Sequence, residues 1–235
     1  MNEEKRKILH SLIFPAILVI AIWSVKITEV AFNIDLSVYG LIPLNVRGLP
    51  GIITSPFLHG GFAHLSANSI PLFLLGALLF YFYRELAWRI LLLIYLVTGI
   101  WVWLFARGNG VHIGASGVVY GLASFLFLSG ILRREVKLMA ITLLIAFLYG
   151  GMVWGVFPQF FPREHISWES HLMGLLAGVI LAVYYRKEGP QRIKFDWENE
   201  PEDDDEENEP PQENQQTPDN ASDNIRITYH YKKDQ

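Results

Sequence analysis

The sequence contains no cysteine. Disulfide cross-links, thiolate nucleophiles and cysteine-ligated metal sites are therefore excluded. Charge is also scarce, but only locally. Overall, 18% of the residues are charged and 51% hydrophobic, proportions that a large soluble domain can also reach, so the totals decide nothing and the distribution must. Six stretches, Ile8–Val25, Phe62–Tyr83, Ile90–Ala106, Val111–Leu132, Leu138–Phe157 and Trp168–Tyr185, hold a single carboxylate among them, Glu169. Each comes near the roughly 20 apolar residues needed to cross about 30 Å of hydrocarbon. Buried helices of a soluble all-α protein do not account for six such stretches in one short chain. The expected fold class is an all-α membrane protein built as a six-transmembrane-helix bundle.

Several motifs are missing too, and each absence narrows the chemistry. No HExxH metalloprotease motif is present: His59 and His64 are five apart with no Glu between them. No Gly-x-Gly-Asp marks an aspartyl intramembrane protease. Val118 stands where a Gly-x-Ser-x-Gly elbow needs its second glycine. Neither a P-loop nor a dinucleotide fingerprint occurs. No metal or other cofactor is expected, and nucleic acid is not an expected partner. The N-terminus shows Lys5, Arg6 and Lys7 before an apolar run as long as a span, without a clear small-x-small cleavage site, so it is read as the first transmembrane helix.

The charges that are present sort into two groups. Residues 1–187 hold 14 Lys/Arg and 8 Asp/Glu, for +6, and residues 188–235 hold 5 and 15, for −10. The expected division is a membrane domain at 1–187 and an acidic tail at 188–235. The tail is too poor in apolar residues to bury a core and reads as disordered. If the helices alternate, Lys5, Arg6, Lys7, Arg84, Arg89, Arg133, Arg134, Lys137, Arg186 and Lys187 share one side. Only Lys26, Arg47, Arg107 and Arg163 lie on the other. The positive-inside rule then places both termini in the cytoplasm of a multi-pass cell-membrane protein. The outer loop at 27–61 is apolar. It is expected to pack on the protein or dip into the interface, with a small folded hairpin as the alternative. The loop at 158–167, with Phe160 and Phe161 beside several glycines, is expected to be a mobile cap.

Polar residues cluster at one depth. Helices 2, 4 and 6 all start on the outer side, and His64 with Asn68, Ser116, and His171 occupy their first turns. At about 1.5 Å per residue, all lie within roughly 10 Å of their helix starts. His64 and Asn68 share a face at i,i+4, as do Ser116 and Tyr120. Gly117 with Gly121, and Gly174 with Gly178, form two GxxxG seams that allow close helix approach. His171 is three residues before Gly174, so packing the seams would carry it toward Ser116. Alone, each residue has a structural reading: a packing serine, an interhelical asparagine, a proton-relay histidine. Together they match what acyl transfer requires. Ser116 supplies the hydroxyl and His171 takes its proton. The Ser116 backbone N–H, His64 and Asn68 supply oxyanion donors, and Tyr120 offers a ring against His171. Glu169 is two residues from His171 and points to another face, so the reading is a dyad. His10, His59, His112, His165 and His230 show no partner in the sequence.

These residues resemble motifs of the rhomboid family of intramembrane serine proteases. The stretch HGGFAHLSAN at 59–68 is similar to the family's second-helix motif, GASG at 114–117 to its nucleophile motif, and HLMGLLAG at 171–178 to its sixth-helix motif. The resemblance covers roughly residues 8–187. It implies a six-helix bundle, transmembrane protein substrates cleaved near the bilayer surface, and no metal. It also implies that Ser116 is the nucleophile, His171 the base, and His64 and Asn68 the oxyanion donors, with Gly114, Gly117, Tyr120, Gly174 and Gly178 supporting them. Two positions depart from the pattern. The first loop has Arg47 but no Trp to complete a Trp-Arg pair, since Trp88-Arg89 lies elsewhere, and Ser170 precedes the histidine where a small apolar residue is common. A non-proteolytic rhomboid-like protein that binds membrane clients remains the alternative. A transporter is disfavoured by the near-absence of carboxylates in the six stretches.

Overall fold

The computed structural model describes residues 2–108, 110–148 and 167–189. Among them run six long helices: α1 (Glu3–Ala31), α2 (Phe62–Phe82), α3 (Ala87–Phe105), α4 (Ser116–Leu132), α5 (Val136–Leu148) and α6 (Trp168–Tyr184). Four, α1, α2, α3 and α6 with its following turn to Lys187, are long and apolar enough to cross a membrane, and α4 and α5 are shorter apolar helices. Ile13, Ile17, Ile20, Leu143, Phe147 and Ile180 all point outward. Such a surface would be penalised in water by about 25 cal/mol per Å² but costs nothing against lipid tails. The protein is an all-helical integral membrane protein.

The helices follow the apolar stretches with two informative shifts. Helix α1 runs well past Val25 because Lys26 pairs with Glu29 at 2.7 Å across one turn, which lets two opposite charges continue the helix. Helix α4 begins at Ser116, although the apolar stretch starts at Val111. Residues 111–115 belong to a loop instead: His112 exchanges both backbone hydrogen bonds with Leu41, at 2.8 and 3.0 Å, and Gly114 has φ +111°, which no helix tolerates. The expectations for Gly150, Gly151, Trp154 and Gly155, for the cap with Phe160 and Phe161, and for the tail from 190 onward lie outside the described residues.

Helix α4 is the hub. Ten of its 17 residues are buried, against eight of 21 in α2. A helix apolar on all sides can be buried on all sides. It packs most extensively on α6, and also on α5, α2 and α3. Leu65, Leu72, Leu75 and Leu79 of α2 and Ile90 and Ile94 of α3 close the main core around Val118, Leu122, Phe125 and Leu126. At the far end of α4, buried Arg133 donates from Nη2 to the carbonyls of Tyr185 (2.6 Å) and Glu188 (2.7 Å), tying the C-termini of α4 and α6 together.

The first loop forms no hairpin. It is a chain of single turns, Ser37–Tyr39, Val46–Gly48, Gly51–Thr54 and Ser55–Phe57. Its anchor is Leu41, fully buried against Val102 and Ala106. Trp103 of α3 completes the hold. Its indole N–H donates to the Asn45 carbonyl (3.0 Å), and its own carbonyl accepts from Leu44 N–H (2.9 Å). Phe32, Val38, Tyr39 and Val46 stay exposed, an apolar rim suited to the membrane interface. A tryptophan does hold this loop, but from α3, 58 residues along the chain from Asn45.

Candidate active site

Ser116 is the first residue of α4. At that position its backbone N–H has no intrahelical acceptor and points out of the helix end. The turn before it is forced by Gly114, whose N–H donates to the Ser55 carbonyl at 2.8 Å. A side chain there would strain the backbone at φ +111° and approach His64 Cε1 to 2.8 Å and Asn68 Nδ2 to 3.7 Å. Gly114 thus lets the side chains of His64 and Asn68 close in on the loop two residues ahead of Ser116. Asn68 is buried, and its Nδ2 donates to the His64 carbonyl at 3.2 Å, as expected for i,i+4 neighbours sharing a face.

His171 comes from the first turn of α6. Its Nε2 lies 2.8 Å from Ser116 Oγ, and only 7% of its surface is exposed. The Tyr120 ring stacks on the imidazole at 4.3 Å and 10°. Tyr120 is one turn after Ser116, so a single helix presents both the hydroxyl and the ring that flanks its partner.

The seams explain why α6 comes so close. A Cβ on Gly174 would strike the Gly117 carbonyl oxygen, and one on Gly178 the Gly121 carbonyl oxygen and Ser124 Oγ. Ser124 Oγ also donates to the Leu175 carbonyl at 2.9 Å, a polar stitch beside the seam. Helix α3 supports the other side of α4. A Cβ on Gly117 would lie 2.9 Å from Thr98 Cγ2, and one on Gly121 would strike Ile94 Cγ2. The structure therefore brings Ser116, His171 and Tyr120 together, with His64 and Asn68 beside the entry turn and the four seam glycines behind.

Two histidines without an evident partner in the sequence belong to this neighbourhood. His112 Nδ1 bonds Ser167 Oγ, which in turn lies 2.6 Å from Ser170 Oγ. This cluster ties the loop before α4 to the start of α6, and gives the departure at Ser170 a structural role. Burial pulls the His112 pKa down, partly offset by the charge of Glu169. His59 is 3% exposed and packs edge-on against the His64 ring at 5.1 Å. Desolvation first, then repulsion from His64, lowers its pKa from 6.5 to about 4. His10 bonds only its own helix, through Nδ1 to the Arg6 carbonyl at 2.6 Å. His165 and His230 lie outside the described residues. Among the described residues, no group of three or more metal-ligating side chains converges.

The His59 shift sets a sign. A depressed histidine pKa means that the unfolded chain takes up its proton first as pH falls. The stability from neutral His59 is complete above 6.5 and is lost as pH drops toward 4. On moving from pH 7 to pH 5, this group is expected to cost up to about 2 kcal/mol, seen as a lower Tm in detergent. His59→Phe should flatten that dependence. An equal Tm loss in both proteins would assign the effect to other groups.

Within an all-helical membrane protein, a helix that opens on a serine thus meets a buried histidine at hydrogen-bond distance, across a glycine seam between their two helices. A family described as "Rhomboid domain" matches residues 47–188, and the chain belongs to the rhomboid family. It is similar to an uncharacterized protein of Mycobacterium tuberculosis, 36% identical over 163 residues that make up 67% of each chain. It is also similar to an uncharacterized protein of Mycobacterium leprae, 33% identical over 159 residues, 65% of this chain and 62% of the relative. A Bacillus subtilis protein named "Putative rhomboid protease YdcA" is 32% identical over 140 residues, 56% of this chain and 64% of the relative.

Proposed function

We propose that this protein is an intramembrane serine endopeptidase that hydrolyses peptide bonds in or near the transmembrane segments of other membrane proteins. The observation that carries the reading is the 2.8 Å contact between His171 Nε2 and Ser116 Oγ inside a family with that chemistry. Ser116 Oγ attacks the scissile carbonyl while His171 Nε2 takes its proton. The oxyanion is held by the Ser116 backbone N–H with His64 and Asn68. His171 then delivers the proton to the leaving amine, and water, deprotonated by His171, hydrolyses the acyl-enzyme. No metal or cofactor takes part.

The same reading takes all six helices as spans, with both termini in the cytoplasm and the site facing the opposite side. Helix α4, at 17 residues, is about 25 Å long, short of the roughly 30 Å hydrocarbon layer. Its catalytic start is thereby recessed from the surface. On this reading the C-terminal residues 188–235, with their net charge of −10, belong to the cytoplasmic side.

The deciding experiment incubates purified protein with a labelled transmembrane substrate beside a Ser116→Ala control. Cleavage by the wild type and none by the variant is expected. Equal cleavage by both would refute the assignment. The oxyanion donors have their own signature. Losing one typically costs about 10²–10³ in kcat, so Asn68→Ala and His64→Ala should slow turnover with KM little changed. Wild-type kcat in both variants would remove them from the mechanism.

A further inference from the structure

We propose that the groove between α1 and α3 is a binding site for one anionic phospholipid, its phosphate held by Arg6 and Arg84 and one acyl chain laid along the helices toward Val118. Two adjoining cavities make the groove. The first, of about 780 Å³, lies at the charged end and is lined by Arg6, Lys7, His10 and Arg84, together with the carboxylates Glu3 and Glu4. The second, of about 200 Å³, is apolar and runs along Leu18, Leu91, Leu92 and Tyr95 to Ala115 and Val118. Phe14 and Trp88 line both, so the two cavities meet at these rings. Phe14, Phe80 and Trp88 pack together there, with Phe14 and Trp88 centroids 4.2 Å apart.

The charge pattern selects the headgroup. Glu4 is already engaged, accepting from the Tyr81 hydroxyl at 2.8 Å, and Lys7 lies over that same ring at 4.4 Å. Arg6 and Arg84 form no ion pair among the described residues. They come from α1 and from the turn after α2, at the end of the bundle where basic residues crowd. Paired guanidinium groups suit phosphate oxygens, and basic pockets between transmembrane helices bind anionic headgroups. Trp88, half exposed beside them, is an interfacial residue by type.

The apolar cavity selects the tail. A helix is at least about 10 Å across with its side chains and does not fit a trough of about 200 Å³, whereas an extended acyl chain does. Burying that chain gains little over leaving it among other lipid tails, so selectivity must come from the headgroup. Ala115 and Val118 stand on either side of Ser116 in sequence, so the trough ends at the turn carrying that residue. Binding at the groove does not depend on the proposed proteolysis.

Native mass spectrometry of the full-length protein with phosphatidylglycerol and phosphatidylcholine tests the site. Phosphatidylglycerol should be retained preferentially. Arg6→Gln and Arg84→Gln should each weaken that retention roughly fivefold. Lys5→Gln and Arg89→Gln, which remove charge at the same end outside the groove, should leave it unchanged. Phosphatidylglycerol brominated on its chain should quench wild-type fluorescence more than it quenches Trp88→Phe. The proposal is overturned by equal retention of the two lipids, by control variants as damaging as the groove variants, by quenching that ignores Trp88, or by a protein segment found in the groove in place of lipid.

Discussion

Ser116→Ala and His171→Ala are each expected to lower kcat for a transmembrane substrate by about 10⁴–10⁶, and the double variant should be hardly worse than either. The reason lies in the contact itself. His171 Nε2 acts on one atom, Ser116 Oγ, 2.8 Å away. Without the hydroxyl the imidazole has nothing to activate, and without the imidazole the hydroxyl keeps its proton. Two groups that work only as a unit are lost together when either is lost. The residual rate would reflect binding and the oxyanion donors, which both variants keep. Neither change should unfold the bundle, since the Tyr120 ring remains to pack at the site and α4 keeps its start. Detergent-purified protein assayed with one labelled substrate measures the three rates. Losses that multiply in the double variant would mean that the residues act in separate steps, and the dyad assignment would fail.

Much of this site is legible in the sequence because its parts repeat at helical spacing. His64 with Asn68, Ser116 with Tyr120, and Gly174 with Gly178 are all i,i+4 pairs, so spacing alone puts each pair on one helix face. The approach of α4 and α6 follows from two seams of the smallest residue. What stays hidden has no period. His112 meets Ser167, 55 residues away, through loop geometry that neither neighbour betrays. His59 leans on His64 across a glycine pair, and its burial depends on the whole fold. Trp103 reads as one more apolar residue of a packing helix. Its indole N–H is satisfied only because the first loop crosses above it, and α3 turns out to position that loop as well as to support the glycine face of α4.

The start of α4 shows the same limit from another side. Residues 111–115 are apolar enough to read as helix, yet they leave the helix for a pairing with Leu41. Hydropathy reports a preference for an apolar environment. It does not distinguish a buried loop, satisfied by hydrogen bonds from another segment, from a helix satisfied by its own. Gly114 is the available signal, since a glycine two residues before a functional serine can supply the positive φ that ends one conformation and begins the next.

Gly174→Ala is expected to be the most damaging single methyl that can be added along the seam between α4 and α6. The built Cβ would strike the carbonyl oxygen of Gly117 and approach the Gly117 carbonyl carbon to 2.8 Å. Both partners are backbone, so no rotamer change can relieve the clash and the two helices must separate. Overpacking with flexible neighbours typically costs about 1–3 kcal/mol, and a rigid obstacle should place this variant at or above the top of that range. Two other glycines grade the argument. At Gly76 a Cβ would meet only the Pro15 ring, at 3.0 and 3.2 Å, and at Gly60 it would meet nothing within 4 Å. The expected order of Tm loss is therefore Gly174→Ala well above Gly76→Ala, with Gly60→Ala close to wild type. Activity should track the same displacement, because His171 sits one turn before Gly174 and moves with it, lengthening the contact to Ser116. A Gly174→Ala protein with wild-type Tm and wild-type kcat would show that the glycine seam does not set the distance between α4 and α6, and that the position of His171 is governed instead by the first turn of α6, where Ser167 and Ser170 meet His112.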